Sequence, residues 1–458
     1  MSNGRGADLV EGTSARGAAL PLSKLSWRLL PLVGIGYCLA YVDRVNISFA
    51  ALQMNADLKF SATAYGTGAG LFFLSYAAFE IPSNLLMVRV GPRRWLARIM
   101  VTWGVIAVAM MFVRTPVQFY ALRFLLGLAE AGFFPGVIYY LSLWFPGAYR
   151  ARAISRFYIA APLASVFMGS LAGSLLGMKG VLGLAGWQWL FLIEGLPAVA
   201  MGLVFLLVLP ERPASADWLS AGEKRALQDA LAADAAPFAQ AEKPTVIRAI
   251  FNVPVLMLGA VNVLILGLFY AINFSAPLVI RAATHWSAGQ IGALVAASGV
   301  VGAACMLISG WSSDRAGERL LHLAIPLFGV GAALAVLAWI SNPTVLVLSF
   351  LAFFAFYSAA QGVFWAATDR LLPPSYTPVA IAGINTIGMI GSFVAPILWG
   401  WAKDVSGSYD LGLRLLPFGF VVAGLIVLLL RRAVRPKGSS ALEQTPTRRN
   451  RLVGDNLL

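Results

Sequence analysis

Charge is scarce in this chain. Asp, Glu, Lys and Arg together make up 12% of its 458 residues, and 59% are hydrophobic. A soluble globular domain carries roughly 25% charged and 45–50% apolar residues, so much of this chain's exterior must face lipid. Cysteine and histidine are scarcer still, two of each. Cys38 and Cys305 lie inside apolar runs and outside any CxxC pattern, which argues against a disulfide framework and a thiolate metal site. His285 and His322 sit at the ends of apolar runs, which argues against a mid-membrane histidine relay. A membrane-embedded enzyme needs a metal, a nucleophile with its base, or a cofactor site. No such cluster is visible, and no cofactor is implied.

Long polar stretches are also missing, with one exception. Apolar runs predict twelve membrane spans near 27–52, 64–88, 94–113, 117–144, 152–177 and 187–210, then 250–281, 288–312, 320–341, 344–370, 378–402 and 411–433. The fold class expected is an all-α membrane protein of two six-helix bundles. Its parts are a disordered tail over 1–26, a first bundle over 27–210, a central loop over 211–249, a second bundle over 250–433 and a disordered tail over 434–458. Part of the central loop, Ser220 to Ala233, has the pattern of an amphipathic surface helix. The first run lacks a credible cleavage site and is expected to stay as a helix. Neither tail holds a signalling domain, which argues against a sensor.

The net charge of +14 comes from 34 Lys and Arg against 20 Asp and Glu. In a soluble protein this balance would point to nucleic acid. Here no basic segment is interleaved with exposed aromatics. The basic residues instead collect on one set of loops, among them Arg89, Arg93, Arg94, Arg98, Arg150, Arg152, Arg315 and Arg319. The other set holds only Lys59, Arg114, Lys179, Arg281, Lys403 and Arg414. Cytoplasmic loops carry such an excess, so both termini are expected in the cytoplasm, as an even span number also requires. The links after spans two and eight echo each other: Arg89-Val90-Gly91-Pro92-Arg93-Arg94, and Ser313-Asp314-Arg315-Ala316-Gly317-Glu318-Arg319. That is the pattern of a six-plus-six repeat.

The first span holds the sharpest clue. Leu29 to Val42 gives fourteen apolar residues, about 21 Å of helix against a hydrocarbon core of about 30 Å. The helix must therefore continue through Asp43 and Arg44 at membrane depth. A charge there costs at least about 2.5–3.5 kcal/mol unless it faces the bundle interior or water. Adjacent residues point about 100° apart, so each of these two needs a partner from another helix or a ligand. In the fourth span, Arg123 and Glu130 lie two turns apart on one face, beside the small residues Gly127 to Gly132. Tyr76 and Glu80 share a face of the second span.

Buried arginine–carboxylate pairs also pin helices together without touching a passenger. Two arginines and at least two carboxylates exceed what one such pair requires. Arginine binds carboxylates through a planar fork and stays charged. An anion that occupies an arginine frees the carboxylate that had paired with it to take a proton, a physical route to coupling anion and proton. The second half offers Asn273, Gln361, Trp365 and Asn385, which suit hydrogen bonding and stacking on a substrate or, equally, contacts between helices.

At these residues the chain resembles the major facilitator superfamily and, within it, the anion:cation symporter family. The resemblance runs from about Leu25 to Arg432. It rests on Tyr41-Val42-Asp43-Arg44-Val45-Asn46-Ile47, Phe79-Glu80-Ile81-Pro82-Ser83-Asn84-Leu85 and Gly91-Pro92-Arg93-Arg94-Trp95. The run from Arg123 to Gly136, the run from Gly186 to Gly195 and Trp218-Leu219-Ser220 add to it. The resemblance implies alternating access in the cell inner membrane and symport of protons with a small organic anion such as tartrate, phthalate, an aromatic acid or a sugar acid. It makes Asp43 and Glu130 proton-coupling residues. Arg44 and Arg123 become anion ligands, with Tyr41, Tyr76 and Asn385 around the cavity, and Gly91, Arg93, Arg94, Asp314 and Arg315 form the gate. A monomer is expected. An exchanger or facilitator of the same fold stays open. Two departures stand out. The loop before Gly91 lacks the acidic residue common in the gate motif, which leaves Asp314-Arg315 to carry that part. The Ala161-Pro162 segment offers few polar contacts, which tilts the reading toward a dicarboxylate or aromatic acid.

Overall fold

In the computed structural model, residues 20–239, 252–339, 342–371 and 377–434 are described, and no strand occurs among them. They hold twelve helical segments long and apolar enough to cross a membrane. The first is α1 (Leu22–Asp57), followed by α2 (Ala62–Val90) and α3 (Pro92–Ala109). The fourth span is split into α4 (Pro116–Glu130) and α5 (Phe133–Ser142), and the fifth into α6 (Gly147–Tyr158) and α7 (Ala160–Gly177). The sixth is α8 (Gly186–Val208). A helix outside the spans, α9 (Ala221–Ala239), follows. Spans seven to twelve are α10 (Val253–Thr284), α11 (Ala288–Ala316), α12 (Leu320–Trp339), α13 (Pro343–Leu371), α14 (Thr377–Ser406) and α15 (Asp410–Val434).

The structure alters several expected bounds. α1 begins at Leu22, inside the segment read as a tail. The remaining tail segments, 1–19 and 435–458, and the end of the central loop, 240–249, lie outside the described residues. The fourth span is not one helix over 117–144. It breaks at Ala131 and Gly132, where Gly132 takes φ of 86°, the left-handed conformation that glycine adopts without a Cβ penalty. The fifth span breaks at Ile159. Pro162 has no N–H to offer the Tyr158 carbonyl, so the helical ladder lapses one turn before the proline.

An even span number returns the chain to its starting side, and we call this side the terminal face. The two halves meet mainly at the opposite, far face. There Gly66 and Gly70 of α2 lie against the backbone of Pro396 and Phe393 of α14. Gly169 and Gly173 of α7 lie against Gly292 and Gly289 of α11. Asp404, near the end of α14, accepts from Ala62 N (3.0 Å), Thr63 N (2.8 Å) and Thr63 Oγ1 (2.6 Å) at the start of α2. Tyr65 donates to the Phe274 carbonyl at 2.8 Å. The far ends of α10, α11 and α13 accordingly share the first half's hydrophobic core through Phe274, Ile291 and Phe350. The rest of the second half packs around its own core.

α9 is started by a reciprocal cap. Ser220 Oγ accepts from Glu223 N at 3.3 Å, and Glu223 Oε2 accepts from Ser220 N at 2.8 Å. It docks on the first half, where Lys24 Nζ meets Glu223 Oε1 at 2.6 Å and Gly147 N donates to Asp234.

Candidate functional site

The 36-residue α1 is about 54 Å long, and Asp43 lies about 32 Å along it from Leu22. Asp43 is 3% exposed, Arg123 1% and Glu130 0%, so none of the three faces lipid. Arg44 crosses to α4. Its Nε and Nη2 both donate to Glu130 Oε1, at 3.0 and 2.5 Å. Two donors on one oxygen leave Glu130 Oε2 without a hydrogen bond among the described residues. Arg123 Nε donates to the Gly68 carbonyl at 3.4 Å, and its Nη2 is likewise unpartnered. Asp43 lies within Coulombic range of Glu130, Arg123 and Arg44, with the Trp103 indole beside it. Asp43, Arg44, Arg123 and Glu130 thus form one buried cluster drawn from α1 and α4.

Aromatic rings line this cluster. The Arg44 guanidinium sits 5.2 Å from the Tyr76 ring centroid, 5.5 Å from Tyr41 and 5.7 Å from Phe72. Arg123 also lies over Phe72, 4.9 Å from its ring centroid. Such contacts stabilise a desolvated cation by up to about 2 kcal/mol. The second half closes the wall through Tyr270 of α10. Its ring is 4.4 Å from Phe73, and its hydroxyl lies within reach of Arg44. Tyr357 of α13 stacks on Phe269 at 3.9 Å.

The other expected residues fall less centrally. Asn385 Nδ2 donates to Glu80 Oε2 at 3.4 Å, joining α14 to α2 one turn beyond Tyr76. Gln361 and Trp365 follow Tyr357 at four-residue steps on one face of α13. Trp365 packs edge-on against Phe364 (4.9 Å), and no hydrogen bond ties Gln361 to the arginines. α10 brings Tyr270 to the cluster, whereas among the described residues no hydrogen bond or ion pair joins Asn273 to it. Two polar residues in the same region were not read as site residues from the sequence. Asn46 of α1 is 1% exposed, and its Nδ2 donates to Oε2 of Glu194, a buried residue of α8.

At the terminal face, Arg93 Nε donates to the Leu206 carbonyl at 2.7 Å. Arg89, Arg93, Arg94 and Arg212 line a cleft around Gly91 and Glu211. The Glu211 carboxylate, three residues beyond the end of α8, lies over Gly91. In the second half Asp314 pairs with Arg319, which also donates to Ser313 Oγ at 3.0 Å. Arg315 instead lies over the Trp311 ring at 5.7 Å.

A family model described as the Major Facilitator Superfamily matches residues 33–396. The chain belongs to that superfamily. An Agrobacterium vitis protein named as a tartrate transporter is 41% identical over 91% of this chain and 96% of its own. The metabolite transport protein NicT of Pseudomonas putida is 40% identical over 92% of this chain and 94% of its own. The crystal structure of a bacterial homologue of the human lysosomal transporter Spinster, inward-facing and occupied, superposes with a TM-score of 0.72. It shares 16% identity, covers 88% of this chain and 96% of that one, and so bears on the fold alone. This major facilitator protein is a multi-pass membrane transporter of a small molecule and not an enzyme. Its buried charge cluster lies where the two six-span halves face each other.

Proposed function

We propose that this transporter is a proton-coupled symporter of the anion:cation symporter type. It takes a small organic carboxylate into the cell by alternating access, from a site in the inner membrane with both termini in the cytoplasm. The observation that carries the reading is the Arg44–Glu130 pair, with Arg123 Nη2 and Glu130 Oε2 left free beside it. A carboxylate passenger fits the forked donors of Arg44 and Arg123. Once it draws Arg44 away, Glu130 loses its counter-charge in a buried site and takes a proton, and Asp43 does the same as Arg123 turns to the anion. Passenger and proton thereby bind together, and neither alone leaves the site neutral. The names of the relatives favour tartrate as the first passenger to try. Tyr41, Tyr76 and Tyr270 give hydroxyls and ring faces suited to a dicarboxylate or an aromatic acid.

The test is tartrate uptake into proteoliposomes by wild type and Glu130→Gln, driven by a pH gradient and, separately, as counterflow without one. The expected outcome is that the variant loses at least about tenfold of the gradient-driven uptake and keeps counterflow, because glutamine still accepts from Arg44 but carries no proton. Undiminished gradient-driven uptake would contradict the coupling role. Wild-type uptake indifferent to the pH gradient would favour an exchanger or facilitator instead.

A further inference from the structure

Glu194 takes no part in the scheme above, yet it is a carboxyl group buried in the span of a membrane protein at 7% exposure. No cation among the described residues approaches it. On α1 it faces Asn46 and, within Coulombic range, Asp43; Arg44 of that helix is engaged by Glu130. α3 packs at Gly104 and Val108 against the adjoining Gly195, and among the described residues Asp43 is the one charge within range of Glu194. α7, the remaining neighbour of α8, contains no ionisable residue. An isolated ionised carboxylate in such surroundings is very costly, and a like charge at Asp43 adds to the cost.

The hydrogen bonds point to how the cost is avoided. Asn46 Nδ2 donates to Glu194 Oε2. That leaves two buried atoms without partners, Glu194 Oε1 and Asn46 Oδ1. Both are acceptors when the carboxyl is ionised, so they cannot bond to each other. A single proton on Oε1 turns it into a donor and satisfies both atoms at once. We infer that Glu194 is a proton-binding site whose proton closes a two-bond ring with Asn46, forming a proton-dependent clasp between α1 and α8 behind Asp43. Proton loss removes one bond of the ring and sets a bare carboxylate beside Asp43, which loosens α1 where it carries Asp43 and Arg44. Glu194 is a positioning residue here: it acts on the site through α1. Its link to transport rests on the roles given to Asp43 and Arg44 above, whereas the clasp itself does not.

Glu194→Gln separates the alternatives, because a glutamine amide makes the same two-bond ring with Asn46 at every pH. Infrared difference spectra of wild type minus Glu194→Gln in lipid nanodiscs at neutral pH are expected to show the carbonyl stretch of a protonated carboxylic acid, lost in the variant. Spectra showing only ionised carboxylate bands would overturn the proposal. In Asn46→Ala the same band is expected to shift as its hydrogen bond is lost, and an unshifted band would overturn the ring. In thermal unfolding, wild type is expected to lose stability relative to Glu194→Gln as pH rises above neutral; parallel curves would count against the clasp. None of these readouts needs a substrate, so failure of tartrate uptake leaves them intact.

Discussion

Phe72 sits close to two guanidinium groups, 5.7 Å from Arg44 and 4.9 Å from Arg123. Like charges packed around one ring are tolerable because each cation has its own acid or carbonyl and the ring face is electron-rich. This arrangement depends on the planar fork of arginine. A lysine at position 44 keeps the charge but cannot donate two bonds to Glu130 while lying over Tyr76 and Phe72. Charge-assisted bonds are worth about 1.5–3 kcal/mol. Arg44→Lys should therefore reduce tartrate uptake in proteoliposomes by at least about tenfold, and uptake equal to wild type would contradict the assigned geometry. The residues of this cluster were legible in the sequence because a charge inside an apolar run has few reasons to be there. Glu194 and Glu211 were not, since their meaning lies in partners about 150 and 120 positions away along the chain, Asn46 and Gly91. Tyr270 was missed because a tyrosine in an apolar helix is ordinary until its neighbour is known to be an arginine.

At the scale of elements, the break between α4 and α5 places the end of α4 at Glu130, so the site's acid stands where the helix stops. Twelve spans follow from hydropathy alone, but this break does not. Hydropathy averages over a window and cannot register one left-handed residue, and the small residues around it read as a close-packing stretch. Gly132→Val should cost about 1–3 kcal/mol through backbone strain, with a further clash against Ser83, and appear as a lower unfolding temperature in detergent. A variant as stable as wild type would place the break elsewhere. The link between α11 and α12 carries a second testable element. Burial opposes ionisation of Glu318, but the N–H groups of Leu321 and His322, the His322 ring and Arg431 outweigh it and hold its carboxyl below the usual range. Arg431 Nε stands 3.4 Å away, tying this link to α15. A depressed value means that the stabilisation is complete above the unfolded carboxyl's value of about 4.3 and fades as pH falls through the folded one. Glu318→Gln should lower stability by about 1 kcal/mol or less at neutral pH, and the gap to wild type should close in acid. A gap independent of pH would show that the charge is not the cause.

For the whole molecule, the seam between halves is built from backbone. A Cβ on Gly292 would run into the Gly169 carbonyl, so α7 and α11 touch with no side chain between them. Cysteines at Thr63 and Asp404, whose exposed side chains meet across the same far-face seam, in a background with Cys38 and Cys305 replaced by serine, should cross-link when a short, reducible bridging reagent is added. Transport should stop when they do and return on reduction. Full transport by the cross-linked protein would mean that the seam never opens. The fold was readable at this scale because lipid exposure and loop charge act on every span alike. The pairing of α7 with α11 and of α2 with α14 was not, since glycines inside apolar helices carry no mark of which partner they meet.

Asp404 belongs to one half and serves the other. Its carboxylate takes up backbone donors at the first turn of α2, so that helix has its end finished by a residue more than three hundred positions downstream. In the proposed alternating-access cycle the halves swing apart there, and those donors and the acid would both emerge into the aqueous rim and find water at once. Each exchange of protein for solvent costs only about 0.5–1.5 kcal/mol. The fastening is therefore a soft one, firm enough to hold a resting shape and weak enough, in the proposed cycle, for the cargo's own binding energy to undo at each turn.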